Sequence, residues 1–140
     1  MPIQTASAGD ERGLLEVFAD FEAGLSGIDG FEYVILITRM HVGHAEPLEV
    51  VPFLDDERHG VFSTRAPARP NRLGLSIVRL IAREGRLLHF VGNDMLDGTP
   101  VLDVKPYVPK FDVRQTNRVG WYAERVVHLS DTRSDNRMAD

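Results

Sequence analysis

Turn-forming residues interrupt this 140-residue chain so often that it has room mainly for short strands. The clearest of these turn signals are Asp29-Gly30, Glu84-Gly85-Arg86, Asp97-Gly98 and Val119-Gly120. Most runs between turns are rich in β-branched or aromatic residues, which is typical of strands. The predicted strands are Leu14–Phe18, Tyr33–Met40, Leu48–Phe53, Leu75–Ala82, Leu87–Val91, Val101–Val104 and Trp121–His128. A set of about seven short strands predicts an all-β fold, either a barrel or a sandwich.

One short helix and a polar tail complete the predicted fold. The segment Asp20–Leu25 begins with a residue suited to N-capping and ends near Gly27. Residues 130–140 contain almost no apolar side chains, so we expect a disordered C-terminal tail. No repeat or linker divides the remainder, so residues 1–129 are expected to form a single domain.

Composition narrows the classes of protein to which the chain can belong. The absence of cysteine excludes a disulfide framework, a thiolate zinc site and a cysteine nucleophile, and no metal site is expected. No run approaches the roughly 18 apolar residues of a membrane span, and the N-terminus lacks a signal-peptide apolar region. We therefore expect a cytoplasmic protein with no membrane partner.

Positive charge is concentrated in the middle of an otherwise acidic chain. The formal net charge of −5 argues by itself against a nucleic-acid partner. Residues 1–59 contain twelve acidic side chains and three arginines, whereas Gly60–Asn93 contains six arginines and Glu84 as its acidic residue. Three of the six, Arg79, Arg83 and Arg86, are interpreted as solvated side chains on strands and a turn.

The other three arginines lie in a loop that Pro67 and Pro70 make stiff, because each proline fixes its own backbone and restricts the residue before it. Such a loop would present guanidinium groups as planar donors to phosphate or carboxylate oxygens, and an asparagine could pair with a heterocycle edge. Gly74 would let a ligand or another backbone approach closely. The polar loop residues are Arg65, Arg69, Asn71 and Arg72.

A second polar segment, Gly92–Pro109, supplies acidic and amide groups. Asn93, Asp94 and Asp97 follow a predicted strand, and Asp97-Gly98-Thr99-Pro100 predicts a turn into the next one. The two aspartates could instead simply bond their own backbone as Asx turns.

The end of this segment adds a charged pair and an aromatic side chain. Asp103 alternates with apolar neighbours, so we expect it to face outward as a partner of Lys105. Tyr107 offers an aromatic face with a polar tip. The candidate substrate-binding residues are Arg69, Asn71, Arg72, Lys105 and Tyr107.

The two segments resemble, at matched spacing, the signature of the TrmO-type methyltransferases, also called the TsaA-like or YaeB-like family. They read GVFSTRAPARPNRLGLS at Gly60–Ser76 and GNDMLDGTPVLDVKPYVP at Gly92–Pro109. The usual family form is close to GVFATRSPxRPNPIGLSxVxL, followed by LDLLDGTPVLDIKPY. The likeness runs from about Pro2 to Val126, and two of the departures in these segments lie at or beside the expected sites. Arg72 replaces the second proline of RPNPIG, and Asn93 replaces an apolar residue.

The resemblance implies a small β-barrel that binds S-adenosylmethionine, usually as a homodimer. Members of the family methylate the exocyclic nitrogen of a threonylcarbamoyl-modified adenosine beside the tRNA anticodon, so tRNA is the expected partner. By position, the residues expected to hold the cofactor are Pro2, Ile3, Gln4, His41, Arg65, Leu75, Asn93, Asp94, Met95, Leu96, Asp97 and Thr99.

The chemistry of S-adenosylmethionine agrees with this set of residues. The cofactor carries a sulfonium, a carboxylate, an ammonium group and an adenine ring, so its pocket needs oxygen acceptors, an arginine and apolar walls. Methyl transfer depends mainly on holding donor and acceptor at reacting distance, so no nucleophilic side chain is required. The catalytic residues stay unassigned, with Asp97 and His41 as alternatives for a general base. A structural role for His41 is equally open.

Two other functions remain open at this point. The net acidity favours a methyltransferase with a small-molecule acceptor over one with a large RNA partner. Because a fold does not determine a function, a non-enzymatic barrel that binds an adenine ligand is the second alternative.

Overall fold

The computed structural model describes residues 11–41, 43, 45–92 and 94–124. These residues form a mostly β fold. The strands are β1 (Arg12–Glu16), β2 (Tyr33–Arg39), β3 (Glu49–Val50), β4 (His59–Gly60), β5 (Leu73–Glu84), β6 (Leu87–Val91) and β7 (Val101–Pro106). The helical segments are 3-10 helices at Ala19–Leu25, Ile28–Gly30, Val61–Ser63, Pro70–Arg72 and Gly120–Glu124, and an α-helix, α1, at Pro109–Asp112.

A five-stranded antiparallel sheet organises the molecule, with the strand order β1-β6-β5-β2-β7. The interior strand β2 pairs with the central strand β5 from Tyr33 opposite Arg79 to Arg39 opposite Leu73. On its other side β2 pairs with β7, where Leu36 lies opposite Val104. Strands β3 and β4 form a separate two-stranded sheet. The described part of the large sheet is open between β1 and β7, so the closed barrel expected from the sequence is not confirmed.

One face of the large sheet carries the main hydrophobic core. Side chains of a strand alternate between faces, and in β2 the buried positions are Val34, Leu36 and Thr38. Val78 of β5 and Phe90 of β6 continue this buried surface. The side chains that pack against it are Leu15, Ile28, Met95, Val101 and Val104.

A second, smaller core lies under the arginine-rich loop. It consists of Val50, Val61, Ala66 and Ala68, and Phe53 packs against it. This loop therefore rests on its own apolar support, which helps to fix its backbone around Val61, Ala66 and Ala68.

Two predicted strands differ from the structure. Leu48–Phe53 is reduced to the two residues of β3, since Pro52 has no N–H to donate to a strand ladder. The strand at Trp121–His128 is wrong where the chain is described, because Gly120–Glu124 forms a 3-10 helix. In that helix the Trp121 indole donates to the Ser63 carbonyl oxygen at 2.8 Å, a contact that a strand pattern cannot reveal. The rest of the run lies outside the described residues.

The predicted helix is present as a 3-10 helix at Ala19–Leu25, and Asp20 does not cap it. Phe18 precedes the helix instead, and its carbonyl oxygen accepts from the Phe21 N–H at 2.9 Å. Gly27 follows with a left-handed φ of 86°, which is the stop signal that the sequence indicated. The expected tail at 130–140 lies outside the described residues, and the boundary at residue 129 stays a prediction.

We expect Gly13→Ala to lower the free energy of unfolding by about 1–3 kcal/mol. Gly13 lies opposite Phe90, and a Cβ at this position would be 2.4 Å from two atoms of the Phe90 ring. The ring is buried in the main core, so it cannot move aside without displacing its neighbours. Urea denaturation of wild-type protein and of Gly13→Ala measures this difference in the free energy of unfolding. Gly24→Ala is the control, because nothing lies within 4 Å of its Cβ position, and equal losses in the two variants would contradict the argument.

Candidate functional site

The end of β2 is held between the beginnings of β5 and β7. The Met40 N–H donates to the Arg72 carbonyl oxygen at 2.8 Å, and the Arg39 N–H donates to the Pro100 carbonyl oxygen at 3.1 Å. A cleft of about 300 Å³ opens at this junction, lined by Arg39, Met40, His41, Arg72 and Pro100. The two segments singled out in the sequence therefore meet at the end of one interior strand.

The turn at Asp97-Gly98 forms as predicted and brings Thr99 to His41. Gly98 has a left-handed φ of 81°, and the Thr99 N–H donates to the Leu96 carbonyl oxygen at 3.2 Å. The Thr99 hydroxyl donates to the same carbonyl at 2.6 Å and lies 3.4 Å from Nδ1 of His41. Because its proton is already used, the hydroxyl can only accept from Nδ1–H, which leaves the lone pair of a neutral His41 on Nε2.

A partly buried carboxyl group, that of Asp94, lies next to this turn. The Ser76 hydroxyl donates to Oδ1 of Asp94 at 2.9 Å. Burial raises the pKa of Asp94 from 3.8 to about 6, and the hydrogen bonds from Ser76 and from its own backbone only partly offset that effect. Met95, the next residue, packs against the main core. Asp94 and Met95 thus combine an oxygen acceptor with an apolar wall, as the sequence predicted for this segment.

The arginine-rich loop is braced by its own side chains. The Thr64 hydroxyl donates to the Val61 carbonyl oxygen at 2.8 Å and accepts from the Ala66 N–H at 3.2 Å. Arg69 folds back, and its Nη1 donates to the carbonyl oxygens of Thr64 at 2.7 Å and Ala66 at 3.3 Å. Arg69 was predicted to contact substrate, but these bonds use its guanidinium to hold the loop. Arg65 is exposed.

The structure also places the Arg72 side chain differently from the prediction. Its side chain is buried, and Nη2 donates to the Met40 carbonyl oxygen, although the sequence led us to expect a guanidinium extended from an open loop. The reason is the backbone: Asn71 has a φ of 63° and Arg72 a φ of 52°, and these left-handed angles turn the chain back toward β2. Asn71 itself is exposed.

Leu75 lies on the opposite face of the sheet from the Ser76–Asp94 pair, because adjacent strand residues point to opposite faces. It is 52% exposed, whereas Ser76 is buried. Leu96 and Asp97 are exposed in the turn. The predicted cofactor residues are therefore divided between the two faces within one chain.

Lys105 and Tyr107 do not join the cleft. Lys105 forms an ion pair with Asp103 at 2.9 Å, which confirms the outward pair predicted from the alternation. Tyr107 packs edge-on against Tyr33, with ring centroids 6.2 Å apart, at the start of β2. Because β2 rises by about 3.3 Å per residue, this end is roughly 20 Å from the cleft. The structure therefore does not bring these two residues together with the arginine loop within a single chain, and their role in substrate binding stays a prediction.

Four predicted site residues lie outside the described residues, and three residues that line the cleft were not predicted. Pro2, Ile3, Gln4 and Asn93 lie outside the described residues, so their predicted roles stay predictions. Arg39, Met40 and Pro100 line the cleft but were not selected, although their positions beside His41 and Thr99 were a usable signal.

The described residues contain no group of three or more His, Cys, Asp or Glu side chains that could hold a metal ion. Over the same residues, no helix combines the length and the apolar character needed to cross a membrane.

Comparison with known proteins gives consistent matches. Residues 1–113 match the model of the tRNA-methyltransferase O N-terminal domain. A probable S-adenosyl-L-methionine-binding protein of Pyrococcus abyssi is 49% identical over 137 residues, covering 98% of this chain and 74% of that protein. The human tRNA (adenine(37)-N6)-methyltransferase is 40% identical over 102 residues, covering 71% of this chain and 23% of that protein. The crystal structure of TrmO from Pseudomonas aeruginosa superposes with a TM-score of 0.70 and 38% identity, covering 86% of this chain and 53% of that chain.

The fold and the matched segments define a methyltransferase domain of mostly antiparallel β structure. The chain belongs to the tRNA-methyltransferase O family, so the resemblance seen in the sequence is confirmed. It spans about half of the Pseudomonas TrmO chain and about a quarter of the human enzyme.

We expect wild-type protein to lose stability relative to Asp94→Asn as pH rises from 4 to 8. The raised pKa means that the folded state favours the protonated carboxyl, so the cost of burying the charge is absent below pH 3.8 and complete above about pH 6. The change from 3.8 to about 6 corresponds to at most about 3 kcal/mol. Urea denaturation of both proteins across this pH range measures it.

Ser76→Ala provides a companion test of the same carboxyl group. Removing the hydroxyl removes a hydrogen bond that lowers the pKa of Asp94, so the loss of stability should extend to higher pH than in wild-type protein. A stability difference between wild type and Asp94→Asn that does not change with pH would contradict the buried-carboxyl interpretation.

Proposed function

We propose that this protein transfers the methyl group of S-adenosylmethionine to the exocyclic nitrogen of a threonylcarbamoyl-modified adenosine beside the tRNA anticodon. The observation that most directly supports this proposal is the cleft at the end of β2, where the two family segments converge on His41. As a member of its family the chain is an S-adenosylmethionine-dependent methyltransferase, and relatives that match most of its length are named as binding that cofactor. A tRNA acceptor also agrees with the cytoplasmic location expected from the sequence.

The residues around the cleft fit the cofactor chemically. Asp94 offers a partly buried carboxylate for hydroxyl or ammonium groups, and Met40 and Met95 offer polarisable apolar surface. When bound, the cofactor supplies an electrophilic methyl group on a positively charged sulfur. The main task of the protein is then to hold the acceptor nitrogen in line with that group and to exclude water.

His41 is the residue we assign to proton removal from the acceptor. The Thr99 hydroxyl holds the proton of a neutral imidazole on Nδ1, so the lone pair of this exposed side chain lies on Nε2. An imidazole in this tautomer can accept the proton that leaves the nitrogen as the new carbon–nitrogen bond forms. Asp97, the other residue considered from the sequence, forms no comparable hydrogen bond with the residues that the structure describes.

A homodimer is part of this proposed function. Leu75 and the side chains next to it on β2 and β5 form an apolar surface on the sheet face opposite the main core. Its members are Ile35, Ile37, Leu73, Leu75 and Ile77. A second copy packed against this face would bury that surface and would bring Leu75 of one protomer toward the site of the other.

The central test measures cofactor binding and methyl transfer separately. We expect calorimetry to show binding of S-adenosylmethionine, and we expect label from its methyl group to appear in tRNA whose adenosine carries the threonylcarbamoyl group. The same tRNA without that group is the matched control and should stay unlabelled. His41→Ala should keep cofactor binding and reduce transfer by roughly 10²-fold or more. Labelling of both tRNAs would contradict the proposed acceptor, and absence of cofactor binding would contradict the proposed function.

Cofactor binding without transfer to either tRNA would favour the alternatives left open by the sequence. One is a small-molecule acceptor, which the acidic net charge supports. The other is a binding protein without catalysis, which the name of the Pyrococcus abyssi relative supports.

The dimer has its own test in sedimentation velocity. Leu75→Asp should shift the protein toward monomer, because it places a charge in the apolar surface that the second copy would bury. Phe21→Asp is the control, since Phe21 is exposed in the 3-10 helix that buries Leu25 on the molecule. A wild-type protein that sediments as a monomer at micromolar concentration would contradict the proposed dimer.

A further inference from the structure

The cleft at the end of β2 has two arginines in its lining, and none of the described residues that line it is acidic. Arg39, His41 and Arg72 supply the charged and titratable side chains, and Met40 and Pro100 complete the wall. This is unusual in a protein with a net charge of −5. A half-enclosed cleft with this lining favours an anionic group.

Arg72 provides an independent observation that points to a ligand. Its side chain is 9% exposed, and arginines are almost never buried to this degree without a charged partner. Within the described residues Arg72 forms no ion pair, and its side-chain partner is the Met40 carbonyl oxygen, which accepts from Nη2. The guanidinium has five N–H donors, so most of its donor capacity is left for a molecule in the cleft.

The Met40 contact also fixes the orientation of the guanidinium. Arg72 is held at its backbone by the hydrogen bond from the Met40 N–H and at its side chain by the bond to the Met40 carbonyl. A planar donor held at both points has little rotamer freedom to lose on binding, so its remaining donors are preorganised.

We propose that this cleft is a carboxylate subsite in which Arg72 and Arg39 bind the carboxylate of an amino-acid group. The planar fork of an arginine matches the two oxygens of a carboxylate. The inference rests on the proposed function, in which both reactants contain such a group: the threonyl part of the acceptor and the methionyl part of the cofactor. Arg72 stands where the family signature has a proline, so its guanidinium adds a cationic hydrogen-bond donor that the signature lacks.

The first experiment tests the acceptor as the source of the carboxylate. An anticodon stem-loop RNA carrying the threonylcarbamoyl group and the methyl ester of the same RNA are titrated by calorimetry, with S-adenosylhomocysteine present so that no transfer occurs. Wild-type protein should bind the acid roughly tenfold or more tighter than the ester. Arg72→Gln and Arg39→Gln should bind the two RNAs almost equally. Arg79→Gln, which removes the same charge from an exposed position on β5, should keep the wild-type preference.

The second experiment tests the cofactor as the source. S-adenosylmethionine and its decarboxylated form are titrated into the same four proteins. If the cleft holds the methionyl carboxylate, wild-type protein should prefer the complete cofactor, and both cleft variants should lose that preference. The two titrations thus assign the carboxylate to one reactant or the other.

Two preferences are compared with those of wild-type protein: for the acid over the ester RNA, and for the complete cofactor over its decarboxylated form. The proposed subsite is contradicted if neither preference is weaker in Arg72→Gln and Arg39→Gln. Thermal melting shows whether Arg72→Gln is folded, and the exposed Arg39 gives a second variant if it is not. Failure of the proposed function gives a different result, namely no methyl transfer to tRNA while the carboxylate preference still depends on the two arginines. Absence of any carboxylate preference in wild-type protein, with methyl transfer intact, would instead reject the subsite alone.

Discussion

Strand β2 and its two flanking ladders are the constraint on which the rest of the structure depends. Its pairing with β5 on one side and β7 on the other joins the two halves of the large sheet. At its end, the backbone hydrogen bonds of Arg39 and Met40 reach the beginnings of β7 and β5. The site is therefore built from backbone that the sheet already fixes, and its geometry does not rely on a long flexible loop.

The sequence predicted the parts of the fold that local chemistry controls. The strands at Tyr33, Leu75, Leu87 and Val101 and the turn at Gly98 follow from alternation and turn residues, and the structure contains them. The strand predicted at Trp121 was wrong, because aromatic and β-branched content is a weak signal where a tertiary contact determines the local conformation. There, an indole hydrogen bond to Ser63 favours a 3-10 helix.

The candidate site shows the same division between local and tertiary control. Asp94 and Thr99 were identifiable from their motif, and the structure gives them defined partners in Ser76 and His41. The side-chain directions of Arg69 and Arg72 were not identifiable, because a stiff loop fixes the Cα positions without fixing where a long side chain finds an acceptor. Both guanidiniums bind backbone carbonyl oxygens.

The two consecutive left-handed residues of the loop carry an evolutionary consequence. Proline holds φ near −65°, whereas residue 72 has a φ of 52°. A chain with this loop geometry cannot return to the family's RPNPIG sequence by one substitution, because the proline would require the backbone to change at the same time. Nor can a relative with the proline acquire the buried guanidinium by one substitution without reshaping its loop. Side chain and backbone at this position are expected to be inherited together, so the residue at position 72 should divide the family into branches with different loop conformations.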